Sequence, residues 1–73
     1  MIETNKLKDI IDKNTFIWCI NSQNEVVKVG TRMISQIYYR HFIYTFDGNK
    51  YLWNNIFDNL RDVEAFLECN AEI

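Results

Sequence analysis

The dipeptide Asp47-Gly48 falls between Tyr44-Thr45-Phe46 and Lys50-Tyr51-Leu52-Trp53, two runs of aromatic and β-prone residues. Gly48 can take the positive φ that a tight turn between strands requires, so this stretch is predicted to be a β-hairpin. A hairpin there commits the middle of the chain to antiparallel sheet. With 73 residues there is room for one domain around it, and a domain of that size buries about 60% of the surface its unfolded chain exposes. Proline is absent, glycine occurs twice and 48% of residues are hydrophobic, which leaves little that reads as linker or disordered tail.

Upstream of the hairpin, residues 4–14 place Leu7, Ile10 and Ile11 on one helical stripe, with Thr4 as N-cap and Asn14 as the residue just beyond the helix end. Phe16 to Ile20 and Val26 to Val29 are β-branched and aromatic, and the polar run Asn21 to Glu25 between them predicts a further hairpin. From Gly30 to Phe46 the spacing of Ile34, Ile37, Tyr38 and Phe42 also fits a helix. Aromatic and β-branched enrichment favours a strand over Ile37 to Phe46, after a bend within Gly30 to Gln36.

Downstream, Ile56, Leu60, Val63 and Leu67 recur at helical spacing, with Asp58, Arg61, Asp62, Ala65 and Glu68 on the opposite face. Asn55 is the expected cap, and Asp58 sits near the positive end of that helix. The fold expected is α+β, a single domain over residues 1–73. It has a short N-terminal helix, an antiparallel sheet of about four strands that tends to curl toward a small barrel, and a C-terminal helix packed on the sheet.

Chemistry finds little purchase in this residue set. One histidine, His41, and two cysteines do not complete a four-ligand zinc site at the usual spacing. Gly30 and Gly48 stand alone, so there is no glycine-rich phosphate loop. Cys19 and His41 are the only nucleophile and base that residue type would pair, and their ordinary reading is a small buried hydrophobe beside a partly exposed sheet histidine. Asp58 and Asp62 have helical spacing, but on the wet face of the helix and without a pocket. No cofactor, no metal and no enzymatic activity are expected.

Cys19 and Cys69 are too few for a disulfide framework, so reduced thiols are expected. Charges occupy the N-terminal residues where a signal peptide needs an apolar stretch, and the longest wholly apolar run is Phe16 to Ile20. A cytoplasmic protein without membrane contact is the expectation. Ile, Asn, Lys, Phe and Tyr far outnumber Ala, Gly and Pro, a balance that AT-rich codons favour and that fits an AT-rich bacterium or one of its phages.

Charge is distributed in blocks. Lys28, Arg32, Arg40 and Lys50 against Asp47 give +3 over residues 26–50, whereas five carboxylates against Arg61 give −4 over residues 51–73. Sheet and last helix thus carry opposite signs. Aromatic residues make up 15% of the chain and most fall in predicted strands, where successive side chains point to opposite faces. Tyr38, Arg40, Phe42, Tyr44 and Phe46 would line one face of the third strand, and Ile37, Tyr39, His41, Ile43 and Thr45 the other. A sheet apolar on both faces has three outcomes: it curls into a barrel, it forms a homodimer, or it keeps one face for binding.

Tyrosine, tryptophan and arginine dominate interface hot spots because they join a large contact area to a polar handle. The function expected is therefore a small non-catalytic protein that binds another protein, as an inhibitor or regulator, with a phage accessory protein as one source. Trp18, Tyr38, Arg40, Tyr44 and Trp53 form the expected contact set, and Asp58, Asp62 and Glu68 a second, acidic patch. Single-stranded nucleic acid is the alternative partner, since strand aromatics beside Lys and Arg hold bases and phosphates. A net charge of −2 and a sequence pI near 5.2 weigh against it. A self-associating assembly subunit is the third reading.

Overall fold

The structure, a computed structural model, describes residues 2–71. Helix α1 (Thr4–Asp12) leads into β1 (Phe16–Ile20), β2 (Val26–Gly30), β3 (Ile34–Tyr38), β4 (Phe42–Thr45), β5 (Lys50–Leu52) and β6 (Ile56–Phe57), and α2 (Leu60–Ala71) closes the chain. The architecture is the α+β arrangement expected, with a helix at each end of an antiparallel β region. Its strands form two three-stranded sheets, ordered β2-β1-β6 and β3-β4-β5, and no closed barrel joins them. Each passage between sheets is a single 3-10 turn, at Thr31–Met33 and at Trp53–Asn55.

Local chemistry explains most of the element ends. The first helical residue is Thr4, with Glu3 in extended conformation before it and no side-chain cap, so Thr4 does not act as the N-cap. The other end follows expectation: Asn14 takes φ 54, and its N–H and that of Thr15 bond back to the carbonyls of Ile11 and Ile10, the paired closure of a Schellman motif. Between β1 and β2, the Asn21 side-chain oxygen accepts from the N–H groups of Gln23 and Glu25, both at 2.9 Å, so one side chain shapes the turn. After β4, the hairpin at Asp47-Gly48 forms as the sequence predicts, with Gly48 at φ 90 and its N–H bonded to the Thr45 carbonyl.

Two further expectations are corrected. Ile37 to Phe46 is not one strand: the chain reverses at Tyr39–His41, Arg40 takes φ 72, and the His41 N–H bonds the Tyr38 carbonyl at 2.9 Å. Positive φ at the third residue of a turn is what type II geometry requires, and glycine is its usual occupant. An arginine there leaves no turn signal in the sequence. The last helix starts at Leu60 rather than beyond Asn55. Ile56 and Phe57, both buried, pair instead with Cys19 and Trp18 of β1. The cap is Asn59, whose side-chain oxygen accepts the Asp62 N–H at 2.8 Å, and its side-chain amide also donates to the Asp62 carboxylate at 3.2 Å.

The main core lies between the sheets. Ile17, Cys19, Val29 and Ile56 from the first sheet meet Ile43 and Tyr51 from the second, and Leu7 and Ile10 of α1 close one end. Trp53 sits in the same cluster at 3% exposure, its indole N–H donating to the Ile2 carbonyl at 2.9 Å. A second, smaller cluster on the other face of the first sheet joins Ile20 and Phe57 to Val63 of α2, flanked by Trp18, Phe66 and Leu67. Helix α2 therefore covers the outer face of the first sheet. Full burial of Val63 contributes about 1.5–3 kcal/mol to holding it there.

Candidate functional site

The outer face of the second sheet is the corresponding surface with no helix on it. Register fixes what it carries: Gln36, Tyr44 and Lys50 stand abreast in one row, and Tyr38, Phe42 and Leu52 in the next. On the inner face the intervening row of Ile37, Ile43 and Tyr51 points into the core. Phe42 lies 4.7 Å from Tyr38 and 5.3 Å from Tyr44 between ring centroids, and Tyr38 lies 6.3 Å from Tyr44. These separations are those of mutually supporting aromatic pairs. Tyr38 is 46% exposed and Leu52 54%.

A cation completes the array. Lys50 Nζ stands 4.3 Å from the Phe42 ring centroid and 6.0 Å from that of Tyr44, within the range where the ring quadrupole attracts an ammonium group. Tyr38 donates its hydroxyl hydrogen to the Gln36 side-chain carbonyl at 3.2 Å. The result is an aromatic platform with the Lys50 ammonium and the Tyr38 and Gln36 polar atoms beside it, an apolar patch with a polar surround of the kind found at interfaces.

A smaller repeat of the motif occurs on the first sheet. Lys28 Nζ lies 3.9 Å from the Phe16 ring and 5.8 Å from that of Trp18, and the two rings meet edge to face at 5.6 Å. Trp18 is half-buried there because its other side supports the α2 cluster. Only part of it is available for contact.

The expected contact residues thus separate. Tyr38 and Tyr44 come together on the platform, and Trp18 lies on the other sheet. Arg40 is in the β3–β4 turn, where it lines a concavity of about 580 Å³ with Ile2, Tyr39 and Trp53. Trp53 itself is a core residue, and its burial removes it from any exposed contact set. Of the acidic group, Asp58 and Asp62 share a concavity of about 330 Å³ with Glu3 and Lys6, and both bond the Asn59 side chain. Those two carboxylates are engaged in starting α2. Glu68 is exposed further along the helix.

Phe42, Lys50 and Leu52 belong to this face although the expected contact set omits them. The signal was present, because a hairpin closed at Asp47-Gly48 with Thr45 opposite Asn49 sets Lys50 beside Tyr44 and Leu52 beside Phe42.

Cys19 and His41 do not form a catalytic pair. Cys19 is buried in the core between the sheets, and loss of solvation there pushes its thiol up to about 12, the wrong direction for a nucleophile at neutral pH. His41 is exposed in the β3–β4 turn. Among the described residues no group of three or more His, Cys, Asp or Glu side chains is placed to hold a metal ion, both cysteines are free thiols, and no helix is long and apolar enough to cross a membrane. Compared with protein families, curated proteins and solved structures, the chain matches none of them.

Proposed function

We propose that this chain is a non-catalytic module that binds another protein through the outer face of its second sheet, and that it acts by occluding that protein as an inhibitor or regulator. The observation that carries the reading is the asymmetry of covering: α2 lies over one sheet, while on the other no helix covers exposed Tyr38 and Leu52 and half-buried Phe42 and Tyr44. Exposed aromatic surface of this kind weakens solubility unless a partner uses it. Free thiols and a buried, unreactive Cys19 fit a cytoplasmic setting without thiol chemistry.

The test is affinity capture from the producing cells with the full chain and with Tyr44→Glu and Asp62→Lys variants. A protein retained by the wild type and Asp62→Lys, and weakened by more than about 30-fold in Tyr44→Glu as a central hot spot would be, supports the reading. Equal capture by all three variants refutes it.

Single-stranded nucleic acid is the second reading, favoured by Lys50 over stacked rings. It calls for oligothymidylate binding that falls steeply as salt rises.

A further inference from the structure

Hydrogen bonds at the two ends of β5 determine where its backbone points. The Thr45 N–H bonds the Asn49 carbonyl and the Trp53 N–H bonds the His41 carbonyl, both at 2.9 Å. Directly opposed residues in an antiparallel ladder alternate between bonded and non-bonded pairs. Ile43 and Tyr51 are therefore bonded, and Tyr44/Lys50 and Phe42/Leu52 are the non-bonded pairs. It follows that the N–H and C=O of Lys50 and of Leu52 aim away from β4. Strand β5 ends its sheet; on that side the Leu52 carbonyl is taken up as the N-cap acceptor of the 3-10 turn that follows, while the Lys50 N–H and C=O and the Leu52 N–H meet no backbone group of the described residues.

This edge differs from the one opposite. At β3 a register shift between Ile34 and Gln36, with the Ser35 hydroxyl bonded to the Tyr44 carbonyl, breaks up the pairing surface, as bulges do in blunted edges. Beside β5 stand exposed Leu52 and the Lys50 ammonium. Among the described residues the only ion pair is Lys13 with Asp9, so Lys50 has no carboxylate partner. Arg40, in the turn that precedes β4, has none among the described residues either, and residues 26–50 carry an excess of positive charge.

We propose that the free edge of β5 receives an extended acidic segment of the partner protein as an added antiparallel strand, an inference that rests on the docking face proposed above. Backbone pairing would supply the affinity and alternate side chains the choice. Residues opposite Lys50 and Leu52 fall on the outer face, so a carboxylate stands beside Lys50 and an aliphatic side chain beside Leu52. The residue between them lies on the side of buried Tyr51 and is small or apolar. A nucleic acid backbone offers no matching row of N–H and C=O groups, so the edge favours a peptide.

Leu52 allows a selective test. Its backbone sits at φ −70, ψ 149, conformations proline adopts without strain, and its N–H is the outward one. Leu52→Pro therefore deletes an edge donor while keeping the bonds to β4, and Leu52→Ala deletes the side chain but keeps the donor. The probe is a capped, labelled heptapeptide of sequence glutamate-threonine-valine-threonine-glutamate-threonine-valine, titrated into the full chain by anisotropy.

The expected result is binding that Leu52→Pro weakens roughly fivefold beyond Leu52→Ala, the worth of one hydrogen bond, at unchanged melting temperature. N-methylation of the glutamate and valine amides should weaken it at least as much, and a lysine-for-glutamate peptide should bind poorly. Equal affinity of the methylated peptide, or of the lysine peptide, overturns the proposal, and does so even where Leu52→Pro fails to fold. Tighter binding of oligothymidylate, or a dimer of the free chain that Leu52→Pro dissociates, assigns the edge to another occupant and also overturns it. Loss of a captured protein on Tyr44→Glu, with no peptide binding, removes the added strand and spares the docking face.

Discussion

Arg40 holds a backbone conformation its side chain disfavours, at φ 72. A residue with a Cβ in the left-handed region is strained by about 1–2 kcal/mol, and glycine escapes that strain at a smaller cost in unfolded-chain entropy. Arg40→Gly is therefore expected to raise stability by about 0.5 kcal/mol and Arg40→Val to lower it by about 1–2 kcal/mol, read from urea midpoints. A lower midpoint for the glycine variant would mean the arginine side chain contributes more than its strain removes. At Cys19 the expectation concerns pH. Its folded value, about 12 against an ordinary 9.0, is raised by burial. The stability linked to it is thus fully present below pH 9 and lost as pH rises toward 12. Over that window the unfolded chain releases a proton the folded chain retains, giving a slope of about −1.4 kcal/mol per pH unit. Tyr51, raised mainly by burial with smaller pushes from Cys19 and Asp47, adds to the loss only above its ordinary 10.0. Urea midpoints from pH 7 to 11 should show that slope in the wild type and a shallower one in Cys19→Ala.

At the scale of elements, the end of β6 and the start of α2 turn on a choice that the sequence states twice. Asn55 and Asp58 have the spacing of a capping box, and so do Asn59 and Asp62. Only the second pair makes the capping bond, from the Asp62 N–H to the Asn59 side-chain oxygen. Asn59→Ala should therefore cost about 1 kcal/mol, whereas Asn55→Ala should cost far less; equal losses in thermal melts would place the helix start wrongly. What decided between the pairs was tertiary: Ile56 and Phe57 bury themselves against β1, and no local pattern carries that information. The same divide runs through the rest of the chain. Asp47-Gly48, Asn14 and the polar run Asn21 to Glu25 are legible because their backbone needs residue types that advertise it. The reversal at Arg40 is illegible because the residue there does not, so Ile37 to Phe46 reads as continuous. Tyr38 and Tyr44 still end on one face because the turn restores the alternation between Tyr38 and Phe42. The burial of Trp53 is illegible for a related reason: its aromatic character is visible in the sequence, but the Ile2 carbonyl that its indole N–H bonds lies at the other end of the chain.

For the whole molecule, covering one sheet and leaving the other bare separates the residues that hold the fold from those that face outward. A domain of this length has about 4–11 kcal/mol of stability in hand, at the usual 0.05–0.15 kcal/mol per residue. Trp53 fills the space where α1, the second sheet and Ile2 converge, and Trp53→Ala should remove about 3–5 kcal/mol of it through lost burial and the cavity left behind, with the Ile2 carbonyl left unpaired in addition. Tyr44 stands half-buried on the platform and contributes through its rings' contacts with Phe42 and Tyr38, so Tyr44→Ser should cost only about 1 kcal/mol. Chemical denaturation followed by tryptophan fluorescence for the tyrosine variant, and by circular dichroism for the tryptophan one, measures both. The division into fold and face requires the first loss to exceed the second by at least about 2 kcal/mol. Comparable losses would make the platform part of the core, and the bare sheet would then owe its aromatics to stability instead of to a partner.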